Sequence, residues 1–250
     1  MESRSASSLE GTQPIMTTES RDRFVHKIFT TVAPYVDTLT RSFSLGMDHY
    51  WRKRAVALSG IKPGDRVLDV CAGTGELSFI LASTVGSEGS IVGADFCENM
   101  LHLARKKMTD KHLNITFLLA DTKKVPFPDD SFDAVTVAFG MRNIPDTILA
   151  LREIRRLLKP GGKFLCLELT RPQKPWFLGI YKWYIFKVMP FISGLVMKTS
   201  APFQYLPRSI EEFYQPPAFR EIIVKNGFSD VCVDAMTMGI ATVYRASKLH

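Results

Sequence analysis

The chain has 250 residues, 46% of them apolar, and a formal charge of +7. That length and apolar content suffice for one large α/β core without cross-links. Its four cysteines, Cys71, Cys97, Cys166 and Cys232, show no CxxC or CxxH spacing, so a bound metal is not expected and a reducing compartment is.

Residues 1–20 are polar and mixed in charge, with no apolar stretch of the kind a secretory leader carries. They are expected to form a disordered tail ahead of a single domain over 21–250. Phe24, Val25, Ile28, Phe29 and Val32 recur at helical spacing, and Pro34 ends that run. A second amphipathic stretch, Ser44 to Leu58, holds Trp51 and the basic group Arg52-Lys53-Arg54. Residues 21–60 therefore read as a helical lid.

From Lys62-Pro63-Gly64-Asp65, a turn, strand and helix signals alternate. Strands are predicted over 66–70, 90–94, 115–119, 132–138 and 163–169, and helices over 76–84 and 98–108. Another helix opens at Pro145 and is stopped by Pro160-Gly161-Gly162. Such alternation specifies a doubly wound, mostly parallel sheet with helices on both faces. The runs 228–236 and 240–246 flank Thr237-Met238-Gly239 as a hairpin, which puts a reversed strand at the C-terminal end. Cys166 and Cys232 fall in strand-like runs, where a small buried thiol is expected.

Between the fifth strand and that hairpin lies an insertion, residues 171–215, rich in Trp, Tyr, Phe and Pro. Lys182 and Lys187 interrupt its aromatic run and Pro190 is expected to break it, so it does not read as a membrane-spanning helix. Residues 171–250 hold ten Lys/Arg against five Asp/Glu, while residues 1–170 hold twenty-two against twenty. Basic excess beside aromatic surface suits an anionic membrane face better than nucleic acid. A solvated surface excess is the alternative for the charge, and a tail groove or a packed helical cap for the insertion.

Chemistry concentrates at the strand tips. In a parallel sheet, ligands bind beyond the carboxyl ends of the strands. The run Val67-Leu68-Asp69-Val70-Cys71-Ala72-Gly73-Thr74-Gly75 carries a strand into a glycine turn. Gly73 and Gly75 let backbone approach a ligand closely. Asp95, after the second strand, can accept from both hydroxyls of a ribose; Asp121-Thr122, after the third, can reach an adenine edge, and Phe96 can cover its face. The dinucleotide fingerprint lacks its third glycine, since Ser78 stands there, and no phosphate loop occurs. A nucleoside cofactor without phosphates fits: S-adenosylmethionine.

These residues, with Pro126-Phe127-Pro128-Asp129, Ser131-Phe132-Asp133 and Leu158-Lys159-Pro160-Gly161-Gly162, resemble the class I S-adenosylmethionine-dependent methyltransferases. Phe139-Gly140-Met141-Arg142-Asn143, the run from Arg156 to Gly162, and Leu167-Glu168-Leu169-Thr170 resemble more narrowly the ubiquinone/menaquinone biosynthesis C-methyltransferases. The resemblance runs from about residue 24 to 245. It implies a seven-stranded Rossmann-like sheet, a prenylated quinol as acceptor, no nucleic-acid partner, and a cytoplasmic enzyme resting on the inner face of a membrane. It carries cofactor contacts to Thr74, Asp95, Asp121 and Thr122.

In the N-terminal signature Asp37, Ser44 and Trp51 match the family. Val36, Thr40 and Asp48 depart from its Tyr, Asn and His, with His49 one place later. Ala138 lacks a hydroxyl that the family sometimes uses. For a quinol, Arg142 would stabilise a developing phenolate or hold a water, and Asn143 would fix the other ring oxygen. Asp48, His49 and Tyr205 are candidate proton acceptors, with His49 the best matched by its intrinsic pKa. Methylation of another lipid-like or small aromatic acceptor is the alternative. A base-nitrogen methylase is disfavoured because Ala138-Phe139-Gly140-Met141 stands where such enzymes carry [DN]PPY.

Overall fold

Five runs of β-branched and apolar residues make the parallel part of one sheet. A computed structural model describes residues 18–108, 113–197 and 205–249. Strands β1 (Arg66–Val70), β2 (Ser90–Asp95), β3 (Ile115–Leu119), β4 (Phe132–Ala138) and β5 (Leu158–Leu169) run parallel; β6 (Phe228–Met236) and β7 (Ala241–Lys248) complete it. The order is β3-β2-β1-β4-β5-β7-β6, and β7 is antiparallel to both β5 and β6. The reversed strand predicted from the hairpin is β7. Chain direction across the sheet switches between β1 and β4, which opens a crevice above their tips.

Helices α4 (Glu76–Val85), α5 (Glu98–Lys107), α6 (Thr147–Leu157) and α10 (Pro216–Lys225) cover the sheet. The central strands are buried on both faces and their side chains divide into two main clusters. One holds Phe132, Phe164, Phe219 and Tyr244; the other holds Val67, Leu81, Ile91 and Leu101. Edge strand β6 leaves Cys232 exposed, while Cys166 on β5 is buried. The expectation of a buried thiol therefore holds at Cys166 alone.

Several boundaries differ from those read in the sequence. Thr18–Ser20, placed in the expected tail, already belong to α1 (Thr18–Val32), and residues 1–17 lie outside the described residues. The stretch expected from Ser44 to Leu58 is one helix, α3 (Met47–Ser59), and a further helix that was not expected, α2 (Val36–Phe43), precedes it. Gly46 between them takes φ 79°, a left-handed turn that ends helical continuity. The helix expected to open at Pro145 starts at Thr147, because Asp146 caps it through Leu149 N. Pro160-Gly161-Gly162 lies inside β5, where the register against β4 jumps from Phe132↔Leu158 to Ala134↔Lys163. The motif is an outpocketing of a strand, and α6 has already stopped at Leu157.

In the insertion, Pro190 does not end the helix. Helices α7 (Pro175–Trp183) and α8 (Met189–Met197) are joined by a π-helical segment, Tyr184–Val188. The Met189 amide reaches back five residues to Tyr184 O. This widened turn makes room for a proline ring that would otherwise collide with the preceding turn's carbonyl. Tyr181, Ile185 and Met189, four residues apart, form the buried stripe. After residues 198–204, outside the described set, α9 (Tyr205–Glu212) returns the chain to the sheet. No helix among the described residues is long and apolar enough to cross a membrane.

Candidate active site

Above the tips of β1, β2 and β4 lies a cavity of about 760 Å³. Its floor is polar and made of strand tips; its roof is α2, α3 and the insertion. The floor is built on backbone that ordinary residues avoid. Cys71, just after β1, has φ 54°, and Phe139, just after β4, has φ 60°. Strain of that kind persists where surrounding contacts over-determine it. A Cβ on Gly140 would sit 2.4 Å from the Cys71 Cβ. The glycine of the Phe-Gly-Met-Arg-Asn element is therefore the point where the β4 loop is pressed onto the β1 loop.

The two glycines of the β1 loop do different work. Gly73 has φ 55° and nothing near the place of a Cβ, so its backbone faces open space on the cavity side. Gly75 has φ 83°, and a Cβ there would meet Phe117 at 3.0 Å and Phe79 at 3.1 Å. It seats α4 against the sheet and does not line the cavity. The close ligand approach expected at both glycines is open at Gly73 only.

Asp95 closes the loop. Its Oδ2 accepts Gly73 N at 2.8 Å and its Oδ1 accepts Cys97 N at 2.8 Å. Burial raises its pKa, opposed by those amides. Two amide bonds leave lone pairs free on the carboxylate, and Asp95 lines the cavity beside Phe96. Phe96 is packed edge-on to Phe29 at 6.1 Å, so α1 supports it. Asp69 also borders the cavity but is 1% exposed. Burial pushes its pKa up to about 6, against the hydroxyls of Ser78 (2.6 Å) and Thr136 (2.9 Å) and the more distant Arg52. Thr74 lines the cavity and its hydroxyl donates to Asp37 Oδ1 at 2.6 Å. Lys107 reaches the same carboxylate at 2.5 Å and Glu76 at 2.8 Å. Asp37 thus clips α2 onto the glycine loop.

Asp121 and Thr122 do not line this cavity. Asp121 accepts Lys123 N at 2.9 Å and lies 3.5 Å from Lys123 Nζ. Thr122 is buried, with its hydroxyl 3.4 Å from Cys71 Sγ. The Cys71 thiol itself is pushed well up by burial and by Asp95, so it stays protonated and is no nucleophile.

At the β4 tip the expected pair is present. Met141 is fully buried and anchors a 3₁₀ turn over Met141–Asn143. Arg142 Nη1 donates to Phe139 O at 2.5 Å and to Glu168 Oε1 at 2.6 Å, and its backbone N donates to Glu168 Oε2 at 3.1 Å. The side chains of Arg142 and Glu168 are 8% and 0% exposed. The surface salt bridge that an arginine usually makes is here a buried one. Arg142 Nε is buried and has no hydrogen-bond partner among the described residues. Asn143 Nδ2 donates to Phe139 O at 3.2 Å, and its Oδ1 accepts from Tyr205 OH at 2.9 Å.

His49 does not join them. It lies on the exposed face of α3, outside the cavity wall, and Asp48 takes the inward position. Ser44 Oγ donates to Asp48 Oδ1 at 2.9 Å and Arg52 Nη1 to its Oδ2 at 2.6 Å. One residue is a hundred degrees of helix, and that step separates cavity from solvent. Sequence reasoning also gave no role to Glu168, Arg52 or Tyr181. Glu168 was legible only as part of a signature. Tyr181 is 5% exposed and lines the cavity among otherwise apolar neighbours from the insertion.

The floor fits S-adenosylmethionine. It offers a glycine facing open space, a buried carboxylate with spare lone pairs, an aromatic face and no phosphate cradle. The model of the ubiE/COQ5 methyltransferase family matches residues 16–248. The chain is 42% identical over 226 residues to the ubiquinone/menaquinone biosynthesis C-methyltransferase UbiE of Geobacter sp. (strain M21), covering 90% of this chain and 96% of that protein. It is 40% identical over 233 residues to the UbiE of Geobacter sulfurreducens, covering 92% and 90%. In fold it resembles a putative S-adenosylmethionine-dependent methyltransferase from Methanococcus maripaludis, with a TM-score of 0.64 at 20% identity over 89% of this chain and 94% of that one. It also resembles one from Aquifex aeolicus, with a TM-score of 0.57 at 18% identity over 94% and 100%. Sheet order, glycine loop and these matches agree: the chain is an S-adenosylmethionine-dependent methyltransferase and belongs to the ubiE/COQ5 methyltransferase family.

Proposed function

We propose that this enzyme methylates a ring carbon of a prenylated quinol, demethylmenaquinol first and 2-polyprenyl-6-methoxy-1,4-benzoquinol second. The observation that carries the reading is a single cavity with two unlike halves. The strand-tip floor is polar, and the insertion lines the rest with Phe177, Ile180, Trp183, Tyr184 and Ile185. A small polar acceptor would have no use for that second half; an isoprenoid tail would.

The bound cofactor supplies an electrophilic methyl group. The chain's residues hold the partners in line, which provides much of the acceleration. A quinol becomes nucleophilic at carbon as its phenolic proton leaves. Arg142, which borders the cavity with its side chain 8% exposed, stabilises the developing phenolate, an arrangement most effective where water is excluded. Asn143, held by Tyr205 and Phe139 O, has one amide hydrogen left for the second ring oxygen. Burial raises the Tyr205 pKa, so at neutral pH it is a donor and not a base. Both Asp48 oxygens are engaged. The phenolic proton passes to a water at Arg142; once the ring carbon carries the methyl group, its own hydrogen leaves as a proton and the ring oxygen is protonated again, so one proton is released per methyl transferred.

The insertion presents Trp176, Ile180, Trp183, Phe186, Phe191 and Leu195 outward, with Lys174, Lys182 and Lys187 in the same segment. Ile180 and Trp183 also border the cavity. In this reading that face rests on an anionic bilayer at the cytoplasmic side, and the tail enters between them. The test is incubation with S-adenosylmethionine and chemically reduced demethylmenaquinone. A product one methylene heavier, with the oxidised quinone inert, supports the reading. Absence of turnover on every prenyl quinol, with turnover on a small phenol, rejects it.

A further inference from the structure

We infer that Arg52 binds the α-carboxylate of the cofactor's amino-acid part, with Asp48 as its positioning residue. This rests on the cofactor and not on the acceptor, so its failure and that of the quinol reading are separable. With the ribose end at Asp95 on β2, the amino-acid end lies over β1 and β4, the next strands in the sheet. A carboxylate there leaves water and needs a cation.

Among the described residues four cations line the cavity: Arg41, Arg52, Lys107 and Arg142. Lys107 is shared between Asp37 and Glu76, and Arg142, paired with Glu168 at the β4 tip, is the group assigned above to the acceptor. Arg41 is exposed on α2. Arg52 is buried on α3, a helix packed on β5, β7 and α4, and its side chain reaches toward Phe139 at the β4 tip. One turn further on, Val56 packs in the same cluster as Leu77, in the first turn of α4. Its guanidinium carbon lies 4.9 Å from the centre of the Phe139 ring, a cation–π contact. Its positive charge is felt by Asp69 beneath the loop.

Among the described residues its hydrogen-bond partner is Asp48, through Nη1. Arginine has five N–H donors, so the fork can serve a second carboxylate. Ser44 holds the other Asp48 oxygen, which leaves Asp48 little freedom and aims the guanidinium. Asp48 at this place is thus a support for a cation, and His49 is not needed there.

Calorimetry on the full chain tests this with two ligands. S-adenosylhomocysteine has the amino-acid part; 5′-methylthioadenosine lacks it. Arg52→Gln should weaken the first by about 10- to 100-fold, the scale of a charge-assisted pair. It should change the second by less than about threefold, and Arg52→Lys should restore most of the loss. Equal losses for both ligands, or unchanged affinity for S-adenosylhomocysteine, overturn the inference. Should Arg52→Gln not fold because Asp48 is stranded, the Asp48→Asn/Arg52→Gln pair carries the same comparison. In the wild type, decarboxylated S-adenosylhomocysteine should bind about tenfold more weakly than its parent, and equal affinity overturns the inference as well.

Discussion

The two halves of the cavity are built on different principles. The strand-tip half, proposed for the cofactor, has its groups pinned by backbone amides: Gly73 N and Cys97 N on Asp95, Arg142 N on Glu168. The half proposed for the acceptor is helix against helix, with a π-helical segment in its wall and large aromatic side chains turned both inward and outward. Pinned groups preorganise charge, and fixed dipoles are what a sulfonium and a developing phenolate require. Apolar helical packing has no such directional demand and tolerates a long, featureless tail. Substitutions among the pinned groups are expected to damage stability and chemistry, and those in the apolar helical wall to shift acceptor use alone.

The largest effect is expected where charge is buried. Arg142→Met leaves Glu168 without its cation at 0% exposure. Loss of one partner of a buried pair costs about 3–5 kcal/mol, measurable by urea unfolding, and turnover should fall with it. A variant with near wild-type stability would show that this pair does not hold the β4 tip.

Next comes pH. The Asp69 pKa is raised to about 6 by burial, from an ordinary value of 3.8. A raised folded-state value means that protonation favours the fold. The contribution is present below pH 3.8 and is lost as pH rises through 6. At roughly 1.4 kcal/mol per pKa unit, Asp69 should account for about 3 kcal/mol of falling stability across that window. Asp69→Asn should remove this slope, read from denaturant midpoints between pH 4 and pH 7. An unchanged slope would mean that the Ser78 and Thr136 hydroxyls compensate the ionised form in full.

The glycines sharpen the comparison within one loop. Gly75→Ala forces φ 83° on a residue with a Cβ and presses it against Phe117, so stability should drop by about 1–3 kcal/mol. Gly73→Ala meets no neighbour and should cost about 1 kcal/mol, while its methyl group enters the cavity and weakens cofactor affinity. The smallest effect is predicted at the clip. Asp37 is 42% exposed in its pair with Lys107, so Asp37→Ala should change stability by less than about 1 kcal/mol while raising the KM for cofactor severalfold. Equal stability losses at Gly73 and Gly75 would erase the distinction between a packing glycine and a cradle glycine.

Much of the strand-tip half of the cavity was legible in the sequence, since strand, glycine turn and acidic tip have fixed spacings. The alternation of apolar runs was enough for the parallel sheet and its reversed strand β7. What the sequence concealed was side-chain direction. His49 and Asp48 are neighbours, and only the phase of α3, reset by the left-handed Gly46, decides which of them faces inward. Asp121 looked equivalent to Asp95 because both follow strands. Lys123, two residues on, draws its carboxylate away. Glu168 could not be paired with Arg142 from spacing, because the pair joins neighbouring strands through a register set by the outpocketing in β5. Pro190 read as a stop because the π-helical turn that accommodates it leaves no simple periodic mark.

Calorimetric titration of S-adenosylhomocysteine into the wild-type chain and into Asp95→Ala tests the strand-tip cofactor site most directly, with far-UV circular dichroism as the check on folding. The predicted result is binding to the wild type and at least about tenfold weaker binding to the folded variant. Equal affinity in the two proteins would contradict it.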